Sequence, residues 1–199
     1  MKIILSTRNP SKLEQIQGLF LGSPIKVLSL DDVRITGEAV EDGITLAENA
    51  FKKAHFAYVQ SGSKEWAMAD DTGLHIGALN GAPGVRAARW AGETATTDEI
   101  TQFTLKQLEG KLDRSAVFET VVAVIAPNGE HHFFNGEVHG TLLEAPRVRP
   151  QPKMPYSPIF VPDGENRVWA EMTVEQENSI SHRGKAFRKA RAFLESLIK

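Results

Sequence analysis

Two apolar stretches meet across an Asn128-Gly129 dipeptide, and no other feature restricts the fold of this 199-residue chain as strongly. Residues 118–126 are dense in β-branched side chains, among them Val121, Val122, Val124 and Ile125, and residues 131–140 return from the turn. Asn-Gly accepts the positive φ angles of a tight hairpin turn, so the segment predicts a long antiparallel pair. Three histidines on the return strand, His131, His132 and His139, invite a metal. Adjacent strand residues point to opposite faces, however, and no further cluster at ligand spacing accompanies them.

The N-terminal half reads differently. Lys2-Ile3-Ile4-Leu5-Ser6 is a short buried strand that runs into Thr7-Arg8-Asn9-Pro10-Ser11-Lys12. Asn9 suits a helix N-cap and Pro10 the first helical position, where its missing N–H costs nothing. A strand feeding a polar turn that opens a helix is a ready anion site, and Lys12 adds a full charge. Residues 26–30 give a second strand. A later helix starts at a Thr45/Glu48 capping box and carries Leu46, Ala50, Ala54 and Ala57 on one face. Glu48 and Lys53 lie off that stripe and are free to project into a cleft. Thr96 and Glu99 open a further helix in the same way.

Between these helices, Trp66-Ala67-Met68-Ala69 ends in Asp70-Asp71, followed by Thr72-Gly73-Leu74. The apolar run predicts a buried strand end, and Thr72 and Gly73 predict a turn. Two carboxylates at such a strand end can reach one cleft, a pairing that suits Mg2+, which takes oxygen ligands and shares them with phosphates. Near the C-terminus, Ser181, His182 and Arg183 open a helix whose predicted buried face is Phe187, Ala190, Leu194 and Leu197. A hydroxyl, an imidazole and a guanidinium in a first turn suit phosphate. Residues 146–158 hold five of the ten prolines together with Arg147, Arg149 and Lys153. Such a segment is neither helix nor central strand, and predicts a flap or a disordered loop.

Composition narrows the class. A 41% hydrophobic content supports one sizeable core, or two lobes sharing it. The formal net charge of -2 gives no basic field for nucleic acid. With no cysteine, neither a disulfide framework nor a thiolate metal site can form. No run approaches the ~20 apolar residues of a membrane span. A soluble, cytoplasmic protein with one domain over residues 1–199 is expected.

Taken together, these motifs are similar to those of the inosine triphosphate pyrophosphatases, nearly end to end. Thr7-Arg8-Asn9-Pro10-Ser11-Lys12 resembles the family's phosphate motif, and Glu48-Asn49-Ala50 with Lys53 its Glu-Asn-Ala helix. Asp70-Asp71-Thr72-Gly73-Leu74 resembles its Asp-Asp-Ser-Gly-Leu, and Gly81-Ala82-Pro83-Gly84-Val85 with Ala88-Arg89 its central loop. Ser181-His182-Arg183 looks like its C-terminal signature. The resemblance implies an α/β fold, a long mixed β-sheet with flanking helices forming two lobes around a central cleft, commonly as a homodimer. It implies conversion of a nucleoside triphosphate and water to a monophosphate and pyrophosphate with Mg2+, on substrates of the dITP, ITP and XTP kind. Carried over by position, Asp71 is the candidate general base and metal ligand, with Asp70 and Glu48 as supporting ligands. Thr7, Arg8, Asn9, Lys12, Lys53, Thr72, His182 and Arg183 fall in the substrate site, and Lys12, Lys53, His182 and Arg183 are the expected sources of positive charge.

The pattern breaks where the base would sit. The family's Phe-Gly-Tyr-Asp-Pro-Ile-Phe reads here Met154-Pro155-Tyr156-Ser157-Pro158-Ile159-Phe160. A family lysine is replaced by Glu177, which accepts rather than donates when ionised. These departures predict retained phosphate machinery with altered base selection. Two other readings remain open on sequence: a relative that cleaves another bond, such as the N-glycosidic one, and a nucleotide binder without catalysis.

Overall fold

The computed structural model describes residues 1–198. Its centre is a seven-stranded mixed sheet in the order β2-β1-β3-β5-β6-β7, with a two-residue β4 on the side of β3. The strands are β1 (Lys2–Leu5), β2 (Lys26–Ser29), β3 (Trp66–Ile76), β4 (Pro83–Gly84), β5 (Ser115–Ile125), β6 (His131–Leu142) and β7 (Phe160–Pro162). The helices are α1 (Pro10–Leu19), α2 (Leu46–Gln60), α3 (Thr97–Gln107), α4 (Val174–Ile180) and α5 (His182–Ser196). β1 runs parallel to β2 and β3, and the other pairs are antiparallel. The Asn128-Gly129 hairpin forms, with β5 and β6 paired from Ser115↔Thr141 to Ile125↔His131. His131 packs on Phe51 and His132 on Phe193, from opposite faces of the sheet.

Local chemistry sets the helix starts. Asn9 Oδ1 accepts from the backbone N–H groups of Ser11 and Lys12, with Pro10 opening α1. Thr45 and Glu48 close a reciprocal capping box on α2, as do Thr96 and Glu99 on α3. The C-terminal unit is two helices, because Ser181 is in extended conformation (φ -67°, ψ 156°), ending α4 and capping α5. Leu197 lies past the end of α5 and is half exposed, so the buried face of that helix closes at Leu194.

β3 differs most from the expected pattern. It does not end at Asp70 but runs straight through Asp71, Thr72 and Gly73 to Ile76. The predicted turn is overruled by β5, which pairs with β3 without a break from Ala67↔Ile125 to Ile76↔Ala116. Gly73 serves a close approach rather than a turn: a Cβ there would stand 3.1 Å from the Gly84 carbonyl oxygen on β4.

The opposite side of β3 is what makes a cleft. β1 covers it at Trp66–Met68, and β4 covers it at Leu74 and His75. Among the described residues, 69–73 have no strand partner on that side, and the molecule opens there. Two lobes flank the gap. In one, Leu74, Phe118, Tyr156, Phe160 and Trp169 share a core. In the other, the sheet is sandwiched, with Met68 and Val122 facing Phe187 and Ile16, and Ala69 and Ala123 facing Ala50 and Ala54.

Candidate active site

Alternation along β3 sends the two aspartates to opposite sides. Asp70 follows Met68 toward α1 and α5, and Asp71 follows Ala69 toward α2. Both still reach one cavity, of about 670 Å³, because the strand edge between them is uncovered. The expected turn is therefore not what brings them together; the gap between β1 and β4 is.

Asp70 is wired to two cations. Lys12 Nζ lies 3.0 Å from its Oδ2, and Arg183 Nε lies 3.4 Å from the same oxygen. Arg183 is steadied by its Nη1, which donates to Gln15 Oε1 at 2.6 Å. Thr72 Oγ1 donates toward Asp70 at 3.4 Å and meets Thr120 Oγ1 at 2.7 Å, so that Thr72 braces the carboxylate from within the sheet. Burial opposes the charge of Asp70, but Lys12, Arg183 and Lys53 outweigh it and hold the carboxyl well below the usual range.

Asp71 has a different environment. Lys53 Nζ stands 2.7 Å from its Oδ1, and Asn49 Nδ2 donates to Oδ2 at 3.3 Å. Lys53 divides its charge, reaching Glu41 at 3.1 Å. Burial dominates here and pushes the Asp71 carboxyl up, against the pull of Lys53 and Lys12. Neighbouring carboxyls thus shift in opposite directions, one kept as a permanent anion and the other made more basic.

All the expected site residues except Glu48 line this cavity. Glu48 is exposed, and its Oε2 accepts from the backbone N–H groups of Ile44 and Thr45, closing the cap of α2. In this conformation the capping box holds it away from the two aspartates. Arg8 touches the cavity, but its guanidinium is committed to residues 31–37, donating to Asp31 at 2.7 Å and to the Ile35 carbonyl at 2.8 Å. Thr7 Oγ1 accepts from the Asn9 N–H.

His182 corrects the expected charge count. It is buried and stacked on Phe118, with centroids 4.8 Å apart and an interplanar angle of 14°. Burial first, then Arg183, push its pKa well below the ordinary value, so the imidazole is neutral near pH 7. Three cations remain for phosphate: Lys12, Lys53 and Arg183. α5 can come this close to the sheet because Gly136 faces it on β6, where a Cβ would stand 2.6 Å from the Ala186 backbone nitrogen.

One part of the cavity wall is largely apolar. Phe118, Met154, Pro155 and Trp169 line it, and Tyr156 is fixed by its hydroxyl donating to the Ala87 carbonyl at 2.8 Å. Residues 153–157 of the proline-rich segment form one side of the cavity. Ser157 is buried, its Oγ accepting from Gln151 N–H at 2.9 Å and donating to the Met154 carbonyl at 2.7 Å. Ser157 therefore shapes the segment through its backbone contacts. Sequence reasoning missed Gln15, Asn49 and Phe118, which hold Arg183, Asp71 and His182 respectively. Of these, Asn49 stood inside the Glu48-Asn49-Ala50 motif, whereas Gln15 and Phe118 carry no local signal.

Among the described residues, no three carboxylate or imidazole groups converge as a complete metal cage. Asp70 and Asp71 offer oxygen donors only. That fits a Mg2+ ion completing its coordination with phosphate oxygens and water, rather than a cation enclosed wholly by protein.

Paired carboxylates beside three cations, with apolar side chains further along the cavity, suit a phosphorylated ligand that also carries a ring. The chain belongs to the Ham1 family, whose model matches residues 3–193. It is 39% identical over 196 residues to the dITP/XTP pyrophosphatase of Thermoanaerobacter sp. (strain X514), covering 98% of this chain and 96% of that protein. It is 38% identical over 187 residues to the dITP/XTP pyrophosphatase of Geobacter sulfurreducens, covering 93% and 92%. The solved HAM1 protein from Coxiella burnetii superposes with a TM-score of 0.86 at 36% identity, over 98% of this chain and 99% of that one. No helix among the described residues is long and apolar enough to cross a membrane.

Proposed function

We propose that this protein is a Mg2+-dependent pyrophosphohydrolase that converts a nucleoside triphosphate and water to the monophosphate and pyrophosphate. Its substrates on this reading are non-canonical or modified purine nucleotides, the class to which the dITP and XTP named for its relatives belong. The observation that carries the reading is the pair of carboxylates in one cavity: Asp70 lies 3.0 Å from Lys12 and 3.4 Å from Arg183, and Asp71 lies 2.7 Å from Lys53.

The proposed chemistry follows from these groups. Lys12, Lys53 and Arg183 draw the polyphosphate into the gap and offset its charge, which is where most of the rate in such transfers arises. Phosphate oxygens compete with Asp71 for the Lys53 ammonium and release the carboxylate. Asp71 then accepts a proton from a water attacking the α-phosphorus. The bond between that phosphorus and the α–β bridging oxygen breaks, and pyrophosphate leaves. Asp70 and Asp71 would hold Mg2+, whose contribution when bound is to withdraw charge from phosphate oxygens and acidify water. Neutral His182 serves as a hydrogen-bonding group on its Phe118 platform, and the apolar wall receives the base.

Product analysis tests this. Incubation of dITP or XTP with the protein and Mg2+ should yield monophosphate and pyrophosphate in equal amounts. Free base would instead indicate cleavage of the N-glycosidic bond, and tight binding without turnover would indicate a nucleotide binder. A cytoplasmic homodimer is the proposed setting, to be checked by sedimentation at the dimer mass.

A further inference from the structure

The reaction makes no use of Glu177, yet its side chain is among the most deeply buried ionisable groups in the molecule. It projects from α4, lines the same cavity and is 2% exposed. Among the described residues, its Oε2 is buried with no hydrogen-bond partner. The neighbouring amides are those of Gln15 on α1 and Gln151 in the proline-rich segment, so Glu177 stands between that segment and α1. Those two amides cannot saturate a carboxylate, which has room for about four hydrogen bonds. Gln15 is in addition tied by its own oxygen to Arg183. Leaving an acceptor of this kind unpaired away from water is costly, and a ligand N–H in the cavity removes that cost.

The apolar groups of the cavity limit what that ligand can be. Met154, Pro155, Phe118 and Trp169 suit a flat ring, and a ring held there presents its edge to Glu177. A keto oxygen on that edge would set acceptor against acceptor, whereas an exocyclic amino group supplies the missing donor. Ionised, the carboxylate accepts only; protonated, it would also donate to a keto oxygen, so the selection belongs to the ionised form. We propose that Glu177 is a specificity residue that favours nucleotides whose base carries an exocyclic amino group, by accepting its N–H. This rests on the nucleotide reading above and deepens it.

The test uses matched bases. Inosine and guanosine nucleotides differ only in a 2-amino group, and adenosine carries its amino group at position 6. For the triphosphates with Mg2+, kcat/KM for one amino-bearing member is expected to exceed that for inosine by about tenfold or more. Glu177→Lys, which can only donate, should reverse that ratio, and Glu177→Gln, which donates and accepts equally, should flatten it. Calorimetric binding of the three monophosphates, without metal or turnover, should show the same ordering and the same dependence on Glu177. A wild-type preference for inosine overturns the proposal, and so does a uniform change across all three bases in both variants. If pyrophosphate is released but no amino preference exists, the hydrolase reading stands and this inference fails. If nothing is hydrolysed but monophosphate binding follows the amino group through Glu177, the inference stands and the hydrolase reading fails.

Discussion

The two ends of the cavity are built on opposite terms. At the β3 gap every charged group has a partner: Asp70 with Lys12 and Arg183, and Asp71 with Lys53 and Asn49. Beside the proline-rich wall, Glu177 Oε2, His182 Nδ1 and Trp169 Nε1 are buried without one. The gap is thus part of what holds the fold together as well as a place for chemistry, because its ion pairs tie α1, α2 and α5 to one strand. The other end contributes hydrogen-bonding capacity that the described protein groups leave unfilled. Substitutions at the gap should therefore affect stability and rate together, while those at the wall should change selectivity alone.

The largest effect should come from Asp71→Asn, which removes the proposed base while leaving an isosteric side chain. Turnover is expected to fall roughly a hundredfold to ten-thousandfold, with nucleotide binding retained, as read by pyrophosphate release and calorimetry. Unchanged turnover would remove Asp71 from its role.

Asp70→Asn should act on the fold as well as on turnover. It strands the buried charges of Lys12 and Arg183, and breaking such a pair costs about 3–5 kcal/mol in denaturant unfolding. Glu177→Gln is the contrasting case, expected to keep or gain stability because burial already disfavours its charge. Equal losses in the two variants would erase the distinction between the two ends.

The aspartates should also differ in pH dependence. Asp70 has a depressed pKa, so its stabilisation is present above the ordinary aspartate value of 3.8 and is lost as pH falls below it. Asp71 is raised, so its contribution has the opposite sign: present below 3.8, and lost as pH rises through its folded value. Carboxyl titration of the metal-free protein by NMR should place Asp71 above 3.8 and Asp70 below it.

The smallest effects are expected from Glu48, which the sequence alone places in the site, and from Arg8, whose guanidinium is committed outside it. Glu48→Ala should cost about 1 kcal/mol as a lost cap. A large rise in the Mg2+ concentration needed for activity would instead restore Glu48 as a ligand. Arg8→Ala should change stability by about 1 kcal/mol or less, since its ion pair with Asp31 is solvent-exposed.

What could be read from the sequence was whatever local chemistry decides. Asn9-Pro10, the Thr45/Glu48 box and Asn128-Gly129 each fix their backbone within a few residues, and each appears where expected. Thr72-Gly73 was misleading because ten consecutive pairs with β5 outweigh a two-residue turn preference. The break at Ser181 hides a second helix, although the Thr173/Gln176 capping box before it was a usable signal. Within the site, the membership of Lys12, Asp70, Asp71 and Arg183 was legible from motifs, but their electrostatics were not. His182 is stacked on Phe118 and Arg183 is held by Gln15, contacts that join residues far apart in the chain.

The most direct test is a single turnover of dITP with Mg2+ in water enriched in heavy oxygen, followed by mass analysis of both products. Attack beside Asp71 at the α-phosphorus predicts the label in the monophosphate and none in pyrophosphate. Label in pyrophosphate, or release of orthophosphate, would contradict the account.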